Sequence, residues 1–425
     1  MLRELNEIEY ISYAVGQPFN IVVMLRFNGY ISKDWIVEII DRLQKKHPLL
    51  QVRITEDDNG RLWFTKEEVG KIPVIELVHH DDSQALNEFH KQLTTPFDLL
   101  EKKLPLMRVA VLSSTTKSEI VICCSHTISD GFSMILFIKD MLKLLTKSEI
   151  SEEIIDLPAK EIDLYSPKVR RMIPKSPFIT KLTYVLLRIN NFFNRAITGK
   201  KEIAEINIKG DDLGVYSSKL TKEQTKKFLE KCKLKRVSVQ SAISTAFSQE
   251  YQTIGSPVNV RNRYNRDVGE AFGCYSGVTY YKKKYRKSKT FWQNAKRIQR
   301  QLTRSLRDRR LFLLQRIFVK KASIELLRKV GSYFIEIITK KNPFSLDNLG
   351  LLDEHLKDID LNKLPVIESI YGGITSFLDT LFVIFYTFRD QMYFFYHYIK
   401  TKYSHEEIES YAQLITNRLI TAIEN

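Results

Sequence analysis

The fold of this chain can be deduced from residues Glu119–Leu145, which read EIVICCSHTISDGFSMILFIKDMLKLL. The apolar residues before Ser125 predict a buried strand, and the apolar residues after Gly131 predict a helix. His126 lies at the junction, and of the eight histidines it alone is followed four residues later by Asp and then by Gly. A turn that joins a strand to a helix is a frequent location for active-site residues on open sheets. The sequence therefore predicts a functional site at His126.

The residue types in this turn suit the removal of a proton from a neutral nucleophile. The imidazole of His126 has a reference pKa of about 6.5, so it is largely a free base at neutral pH. The positive end of the following helix disfavours the imidazolium form. Asp130 can anchor the turn by accepting hydrogen bonds or by pairing with an arginine, and Gly131 lets the backbone pass closely. For the isolated pattern, the structural alternative is a helix cap preceded by a strand-end histidine.

Strand and helix patterns alternate through the rest of the chain. An amphipathic helix is predicted from Ser32 to His47, where Pro48 ends it. Hairpins are predicted around Asp57–Gly60 and from Leu381 to Ile399. The spacing of polar residues predicts helix caps at three further positions: Thr221 with Gln224, Ser238, and Ser404 with Glu407. Interspersed strands and helices in both parts of the chain predict an α/β protein built as two sandwiches side by side.

The segment SHTISDG resembles the HxxxDG signature of the acyltransferase superfamily that includes nonribosomal peptide condensation domains, chloramphenicol acetyltransferase, alcohol acetyltransferases and wax ester synthases. Further segments resemble other parts of the same family, and they occur in the expected order along most of the chain. These segments are LNEIEY, RLQKKHPLLQVRI, VSVQSAISTAF, PVNVRNR, FGCYSG and DNLGLL. Together these segments make the resemblance to this family stronger than the HxxxDG pattern alone does.

The resemblance implies a fold and a division of the chain. Members of the family consist of two chloramphenicol-acetyltransferase-like halves arranged in a V, with the active-site tunnel between them. In this chain, the N-terminal half with the HxxxDG motif would be residues 1–165, and the C-terminal half would be residues 206–425. A basic amphipathic crossover, residues 166–205, would join them.

The resemblance also implies roles for individual residues. An acyl thioester would enter from one face and the acceptor from the other, and His126 would take the proton of the acceptor as it attacks the thioester carbonyl. Asp130 would hold the turn through a salt bridge to an arginine of the second half, with Arg261 as the first candidate and Arg263 as the alternative. Gly131 would keep the mouth of the tunnel clear. No metal or permanently bound cofactor is expected, because the acyl-coenzyme A or acyl-carrier-protein thioester is a co-substrate.

Two departures from the family pattern bear on the reaction. Condensation domains usually carry a second histidine where this chain has Ser125, which favours ester formation over peptide synthesis. The DFGWG segment of the plant members is absent.

We therefore expect an acyltransferase of lipid or secondary metabolism that moves an acyl group other than an aminoacyl group, preferably from acyl-coenzyme A, to a hydroxyl or amine of a hydrophobic acceptor. The alternative is a free-standing condensation enzyme that uses carrier-protein-bound donors, and in either case we expect the donor to arrive as a separate molecule.

The charge of the chain is strongly positive, with 66 Lys and Arg against 50 Asp and Glu and a formal net charge of +16. Three segments concentrate it: Lys168–Lys181, Lys282–Lys287 and Lys296–Arg310. These are either solvated helix faces or surfaces that attract coenzyme A phosphates or an acidic carrier protein. The amphipathic stretch Phe178–Lys201 could line a lipid site or rest on an anionic membrane. Nucleic acid is not an expected partner, because the aromatic residues lie in apolar strands rather than among Lys and Arg.

Cysteine usage and apolar segments bear on the location of the protein. Its four cysteines are Cys123, Cys124, Cys232 and Cys274. They form neither a CxxC pair nor a zinc spacing, which favours a reducing compartment, and the first residues lack the pattern of a signal peptide. The most apolar window, Gly372–Phe388, predicts a strand pair with the following turn rather than a membrane span. We expect a cytoplasmic protein, with peripheral contact at the inner face of a membrane as a further hypothesis.

Overall fold

The computed structural model describes residues 2–100, 103–147, 150, 154–157, 161–167, 185, 212–251, 253–282, 284–307, 344–375 and 381–424. Within these residues, strands form three sheets and helices pack against them, as the sequence predicts for an α/β protein. The predicted crossover, 166–205, lies almost entirely outside the described residues, so the division of the chain at residues 165 and 206 stays a prediction. No described helix combines the length and the apolarity needed to cross a membrane.

The described residues up to 167 form seven strands and five α-helices. They are β1 (Arg3–Glu4), α1 (Glu7–Val15), β2 (Asn20–Asn28), α2 (Lys33–Lys46), β3 (Arg53–Glu56), β4 (Leu62–Thr65), β5 (Val74–Val78), α3 (Asp82–Thr94), β6 (Met107–Ser113), β7 (Ser118–Ser125), α4 (Gly131–Leu145) and α5 (Glu161–Leu164). Helix α2 ends immediately before His47–Pro48, and β3 pairs antiparallel with β4. Both predictions are confirmed.

The described residues after 211 form seven further strands and five helices. They are β8 (Leu213–Lys219), α6 (Lys222–Lys235), α7 (Val239–Phe247), β9 (Thr253–Asn259), β10 (Ser276–Lys282), α8 (Phe291–Arg307), β11 (Phe344–Leu351), α9 (Leu352–Leu356), β12 (Val366–Ile374), β13 (Leu381–Phe388), β14 (Gln391–Ile399) and α10 (His405–Glu424). The predicted caps of α6, α7 and α10 are confirmed, because the side-chain oxygens of Thr221, Ser238 and Ser404 accept hydrogen bonds from backbone amides of the first helical turn.

The second half is built on a six-stranded sheet with the order β10-β9-β11-β13-β14-β8. Strand β11 runs parallel to both of its neighbours, and the remaining pairs are antiparallel. The predicted hairpin of β13 and β14 is confirmed, and its turn consists of Arg389 and Asp390 with φ angles of 49° and 62°. Two consecutive residues with positive φ are typical of the tight turns that match the twist of antiparallel strands.

Strand β12 joins the sheet of the first half, although it lies late in the sequence. The five-stranded sheet has the order β12-β2-β7-β6-β5, and β12 pairs antiparallel with β2 from Val366 opposite Asn28 to Ile374 opposite Ile21. The apolar window that begins at Gly372 therefore contributes to two different sheets, since β13 belongs to the six-stranded one. The sheet of the first half is thus completed by a strand of the second half.

The apolar core also connects the two halves. A first cluster surrounds the five-stranded sheet, and it includes Tyr386, Phe388 and Phe395 from β13 and β14. A second cluster lies between the six-stranded sheet and helices α6, α7, α8 and α10. Burial of one large apolar side chain contributes about 1.5–3 kcal/mol, so this shared core resists separation of the halves. The space between the two sheets is consequently defined before any substrate binds.

Candidate active site

His126 lies in the turn between β7 and α4, where the sequence predicts a functional site. Its Nδ1 is 2.7 Å from the carbonyl oxygen of Ser129. A carbonyl oxygen only accepts hydrogen bonds, so Nδ1 carries the proton and Nε2 keeps its lone pair. The side chain is half-buried and lines the main cavity of the molecule. The imidazole is therefore held in the tautomer that can take a proton at Nε2.

The surroundings of His126 favour its neutral form. Burial lowers the pKa of the imidazole below its usual value, and this effect outweighs the Ser129 carbonyl and the Asp130 carboxylate, which raise it. The ring also packs against Phe19, with 4.4 Å between the ring centroids. A neutral imidazole at physiological pH is the state that a general base requires.

Asp130 joins the turn to the second half of the molecule. Its Oδ1 accepts a hydrogen bond of 2.7 Å from the backbone N–H of Ser133, which caps α4. Its Oδ2 accepts a hydrogen bond of 2.7 Å from the backbone N–H of Tyr275, in the loop before β10. The residue is 2% exposed. Both carboxylate oxygens are therefore occupied by amide donors, one from each half.

Of the two arginines that the sequence suggests, Arg261 is the one that lies beside Asp130. Its Nη2 is 3.9 Å from Asp130 Oδ1 and donates a hydrogen bond of 2.7 Å to Ser133 Oγ. Its Nη1 donates to the carbonyl oxygen of Ala271 at 2.8 Å. Arg263 instead donates to the carbonyl oxygen of Leu306. The ion pair with Arg261 is thus bridged by a serine, a contact that the sequence analysis did not predict.

Ser133 and the loop Gly273–Tyr275 complete this junction. Ser133 Oγ donates to the carbonyl oxygen of Gly273 at 2.5 Å and accepts from its amide at 3.1 Å. The sequence analysis noted FGCYSG as a family-like segment but assigned no role to Ser133. Its position three residues after a predicted helix cap was the available signal, because the third residue of a helix commonly contacts the cap.

Gly131 is the first residue of α4 and lines the cavity opposite β11. A Cβ atom built on it would lie 3.4 Å from Cδ2 of Leu349. This distance is close to the van der Waals limit, so a larger side chain would project into the space between α4 and β11. The glycine therefore keeps this part of the cavity wide.

The cavity between the two halves has a volume of about 350 Å³. Strand β2 and helix α4 line it from the first half, and β9, β10, β11, α9, β12 and β13 line it from the second. Most of its walls are apolar, including Met134, Ile135, Ile138, Leu352, Ile370 and Ile384. The polar residues among those that line it are His126, Asp130, Asn259, Ser276, Ser345, Asp347, Asn348, His355 and Thr375, together with the tyrosines Tyr280 and Tyr386. Apolar walls with few polar groups suit a hydrophobic substrate.

A second, basic cleft lies on the surface of α8. It is formed by Lys296, Arg300, Arg304, Arg307 and Arg236 together with Gln299 and Thr303. Ser305 Oγ donates to the carbonyl oxygen of Tyr280, and Tyr280 in turn lines the main cavity. Helix α8 is therefore in contact with β10, a strand of the cavity wall. The segments Lys168–Lys181 and, apart from residue 185, Phe178–Lys201 lie outside the described residues.

The chain is similar to known proteins over nearly its whole length. The family model described as Condensation domain matches residues 12–318. The trichothecene 15-O-acetyltransferase TRI3 from Fusarium sporotrichioides has a TM-score of 0.69 at 12% identity, covering 99% of this chain and 95% of that one. The first condensation domain of the calcium-dependent antibiotic synthetase has a TM-score of 0.67 at 11% identity, covering 100% and 97%. Polyketide synthase associated protein 5 from Mycobacterium tuberculosis has a TM-score of 0.63 at 13% identity, covering 100% and 98%.

At such low identity these structures establish the fold. The predicted fold, two chloramphenicol-acetyltransferase-like halves with the candidate active site between them, is confirmed.

Proposed function

Since the chain belongs to the condensation-domain family, we propose that it transfers an acyl group from a thioester to a hydroxyl or amine acceptor, with His126 as the general base. Membership of this family makes the chain a transferase, whereas the donor, the acceptor and the residue roles are our proposal. One observation supports this proposal most strongly. The Ser129 carbonyl holds the proton on Nδ1 of His126, which leaves a basic Nε2 at an apolar cavity shared by both halves.

The proposed reaction requires two proton transfers at Nε2. As the acceptor oxygen or nitrogen attacks the carbonyl carbon of the thioester, Nε2 takes the acceptor proton and a tetrahedral intermediate forms. The carbon–sulfur bond then breaks, and the imidazolium returns the proton to the departing thiolate. The products are an ester or amide and a free thiol, and His126 returns to its neutral form. The lowered pKa of His126 favours this second transfer, because it makes the imidazolium a stronger acid.

In this proposal Asp130, Arg261 and Gly131 are positioning residues. Each carboxylate oxygen of Asp130 already accepts an amide hydrogen bond, from Ser133 and from Tyr275. Arg261 supports the same junction through Ser133 Oγ. Their role is to fix the turn that presents His126 against the second half, while Gly131 keeps space beside it. Errors of about 1 Å in the position of a catalytic group can lower the rate about 100-fold.

We propose acyl-coenzyme A as the preferred donor and a carrier-protein-bound thioester as the alternative. Both donors are anionic, since coenzyme A carries phosphates and carrier proteins present acidic surfaces. The basic cleft supports either one, because it gathers five cationic side chains, four of them on the helix that packs against β10, a strand of the cavity wall. No metal or permanently bound cofactor has a role in the proposed reaction.

The acceptor that we propose is hydrophobic, in keeping with the apolar walls of the cavity. Ester formation is our preference over peptide formation. Ser125, which replaces the first histidine of the usual condensation-domain motif, is fully buried, and its Oγ accepts a hydrogen bond from the Thr127 amide. The first of the two histidines of the peptide-forming pattern therefore has no counterpart at this position.

The test is a mass-spectrometric screen of the purified protein with acyl-coenzyme A and acyl-carrier-protein donors against pooled hydroxyl and amine acceptors. His126→Ala is compared with His80→Ala, a substitution of an exposed histidine away from the cavity. We expect thioester-dependent products from the wild type and from His80→Ala, and none above background from His126→Ala. Undiminished product formation by His126→Ala would refute the proposed role of His126.

A further inference from the structure

Asp347 places a carboxyl group on an apolar wall of the cavity. The side chains of β11 alternate between two faces, as in any strand. Phe344 and Leu346 are fully buried in the core of the second half. Ser345, Asp347 and Leu349 line the cavity. An apolar residue would continue the surface around position 347, so the carboxyl group needs an explanation.

The neighbouring strand β13 presents apolar and aromatic side chains to Asp347. It lies opposite Ile384 of β13, and the flanking cavity-facing residues of that strand are Phe382 and Tyr386. Burial raises the pKa of Asp347 to about 6, and the nearby charge of Asp130 acts in the same direction. The backbone amide of Asn348 offsets only part of this effect. The ionised carboxylate is thus poorly stabilised by the protein itself.

Asp347, which is half-buried, differs in this respect from the fully buried acidic residues of the described chain. Each of those five has an Arg or Lys nitrogen within 4.0 Å: Glu9, Glu88, Glu119, Asp130 and Asp140. Asp347 has no such cation among the residues that the structure describes, and no Lys or Arg is found among the residues that line the cavity. Partial removal of a carboxylate from water is unfavourable when no cation lies beside it. The missing positive charge can be supplied by a bound substrate.

We propose that the acceptor carries a basic nitrogen and that Asp347 binds it as an ammonium group. This inference rests on the proposed function and names the chemical class of its acceptor. The apolar walls hold the hydrophobic part of the acceptor, and the carboxylate of Asp347 accepts charge-assisted hydrogen bonds from the ammonium group. Asp347 determines specificity in this scheme, and proton transfer stays with His126.

Binding of a matched pair of probes tests the inference without requiring acyl transfer. The probes are 4-phenylbutylamine and 4-phenylbutan-1-ol, which differ in the terminal group, and calorimetry measures their dissociation constants. At pH 7.5 we expect wild-type protein to bind the amine roughly 10-fold or more tightly than the alcohol, as for a hydrogen bond to a charged group. Asp347→Asn should abolish this preference, and Asp347→Glu should retain part of it. Asp358→Asn, which removes the same charge from an exposed position, should behave as wild type.

The pH dependence provides a second readout. Protonation of Asp347 removes its negative charge, so affinity for the amine should fall as the pH decreases through about 6. Affinity for the alcohol should stay constant. His126 and His355 also line the cavity, but burial lowers the pKa of both imidazoles, so Asp347→Asn should lose most of the pH effect for the amine near pH 6. Equal affinity of the wild type for both probes, or an unchanged preference in Asp347→Asn, would overturn the inference.

The two proposals fail in different ways. If the protein prefers the amine through Asp347 but transfers no acyl group from any thioester, the proposed function fails and the binding site stands. If it transfers acyl groups but shows no preference for the amine, the proposed function stands and the role of Asp347 is refuted.

Discussion

The backbone amide of Tyr275 donates a hydrogen bond of 2.7 Å to Oδ2 of Asp130, across 145 residues of sequence. Asp130 is at the same time the N-cap of α4. Asp130 therefore begins the helix after His126 and also binds the second half of the molecule. This double role couples the geometry of the candidate catalytic turn to the docking of the two halves.

Asp130→Asn should separate these two roles. An asparagine can still cap α4 through its oxygen, but its NH₂ group cannot accept the Tyr275 amide. We expect the free energy of unfolding to fall by about 1–3 kcal/mol and turnover to fall at least roughly 10-fold because the turn loses its position. Chemical denaturation and steady-state kinetics measure both effects. Asp81→Asn, at the exposed cap of α3, is the matched control and should change neither quantity appreciably.

The pH profile of the reaction should report the titration of His126. Burial lowers the pKa of this residue, and the neutral base is the active form. With an uncharged hydroxyl acceptor, kcat/KM should therefore be low in acid, rise with pH, and reach its plateau with a midpoint below the reference value of about 6.5. A midpoint above neutral pH would contradict the assignment. His126→Ala should lower the rate roughly 100- to 10,000-fold without a comparable loss of stability.

Arg261 and Arg263 should differ strongly in their importance. Arg261→Ala removes the side-chain donor to the Ala271 carbonyl and one of the two donors to Ser133 Oγ, so we expect a loss of about 1–3 kcal/mol in stability together with reduced turnover. Arg261→Lys should restore little, because an ammonium group lacks the fork of donors that reaches both acceptors. Arg263→Ala removes a hydrogen bond to Leu306 and should leave turnover close to wild type. Equal effects of the two alanine substitutions on turnover would argue against the special position of Arg261.

Gly131→Ala should narrow the cavity next to β11. The new Cβ would contact Cδ2 of Leu349 at 3.4 Å, and the space beside His126 would shrink. We expect kcat/KM to fall more for bulky acyl groups than for acetyl. Leu349→Ala in the same chain should recover the lost activity with bulky donors, because it removes the atom that the new Cβ meets. Absence of this recovery would show that Gly131 acts through the backbone rather than through space.

Charge reversal in the basic cleft tests its contribution to donor binding. Arg300→Glu with Arg304→Glu should raise the KM for the thioester donor and weaken the dependence of that KM on salt, because electrostatic attraction is screened by ions. The KM for the acceptor should stay constant. Lys66→Glu with Lys222→Glu changes the net charge equally at exposed positions outside the cleft. If both double variants raise the donor KM to the same extent, the effect comes from net charge and not from the cleft.

Some features of this protein follow from local sequence alone. One contiguous stretch contains the strand before His126, the cap at Asp130 and the helix after Gly131. The period of its apolar residues, the spacing of its cap residues and the residue types of its turn are therefore sufficient to predict them. The caps of α6, α7 and α10 and the hairpin of β13 and β14 follow for the same reason. In each case the interacting groups are separated by a few residues, and backbone geometry alone brings them together.

Other features depend on contacts between distant parts of the chain. The choice of Arg261 over Arg263, the bridging role of Ser133 and the amide of Tyr275 appear only when the loop before β10 packs against α4. The pairing of β12 with β2 likewise cannot be read from an apolar pattern. A strand pattern shows which side chains share a face, but it does not show which sheet the strand joins.

Asp347 shows the same division most clearly. The sequence of β11 shows which of its side chains share a face, and it shows that DNLGLL contains a carboxyl group. What the sequence does not contain is the surface that this carboxyl faces, since β13, α4 and β12 reach the cavity from widely separated segments. The sequence by itself determined the catalytic turn and the family to which it is similar, because those signals are local. Only the tertiary structure decided which distant groups surround that turn, because burial and charge pairing arise when the two halves pack together.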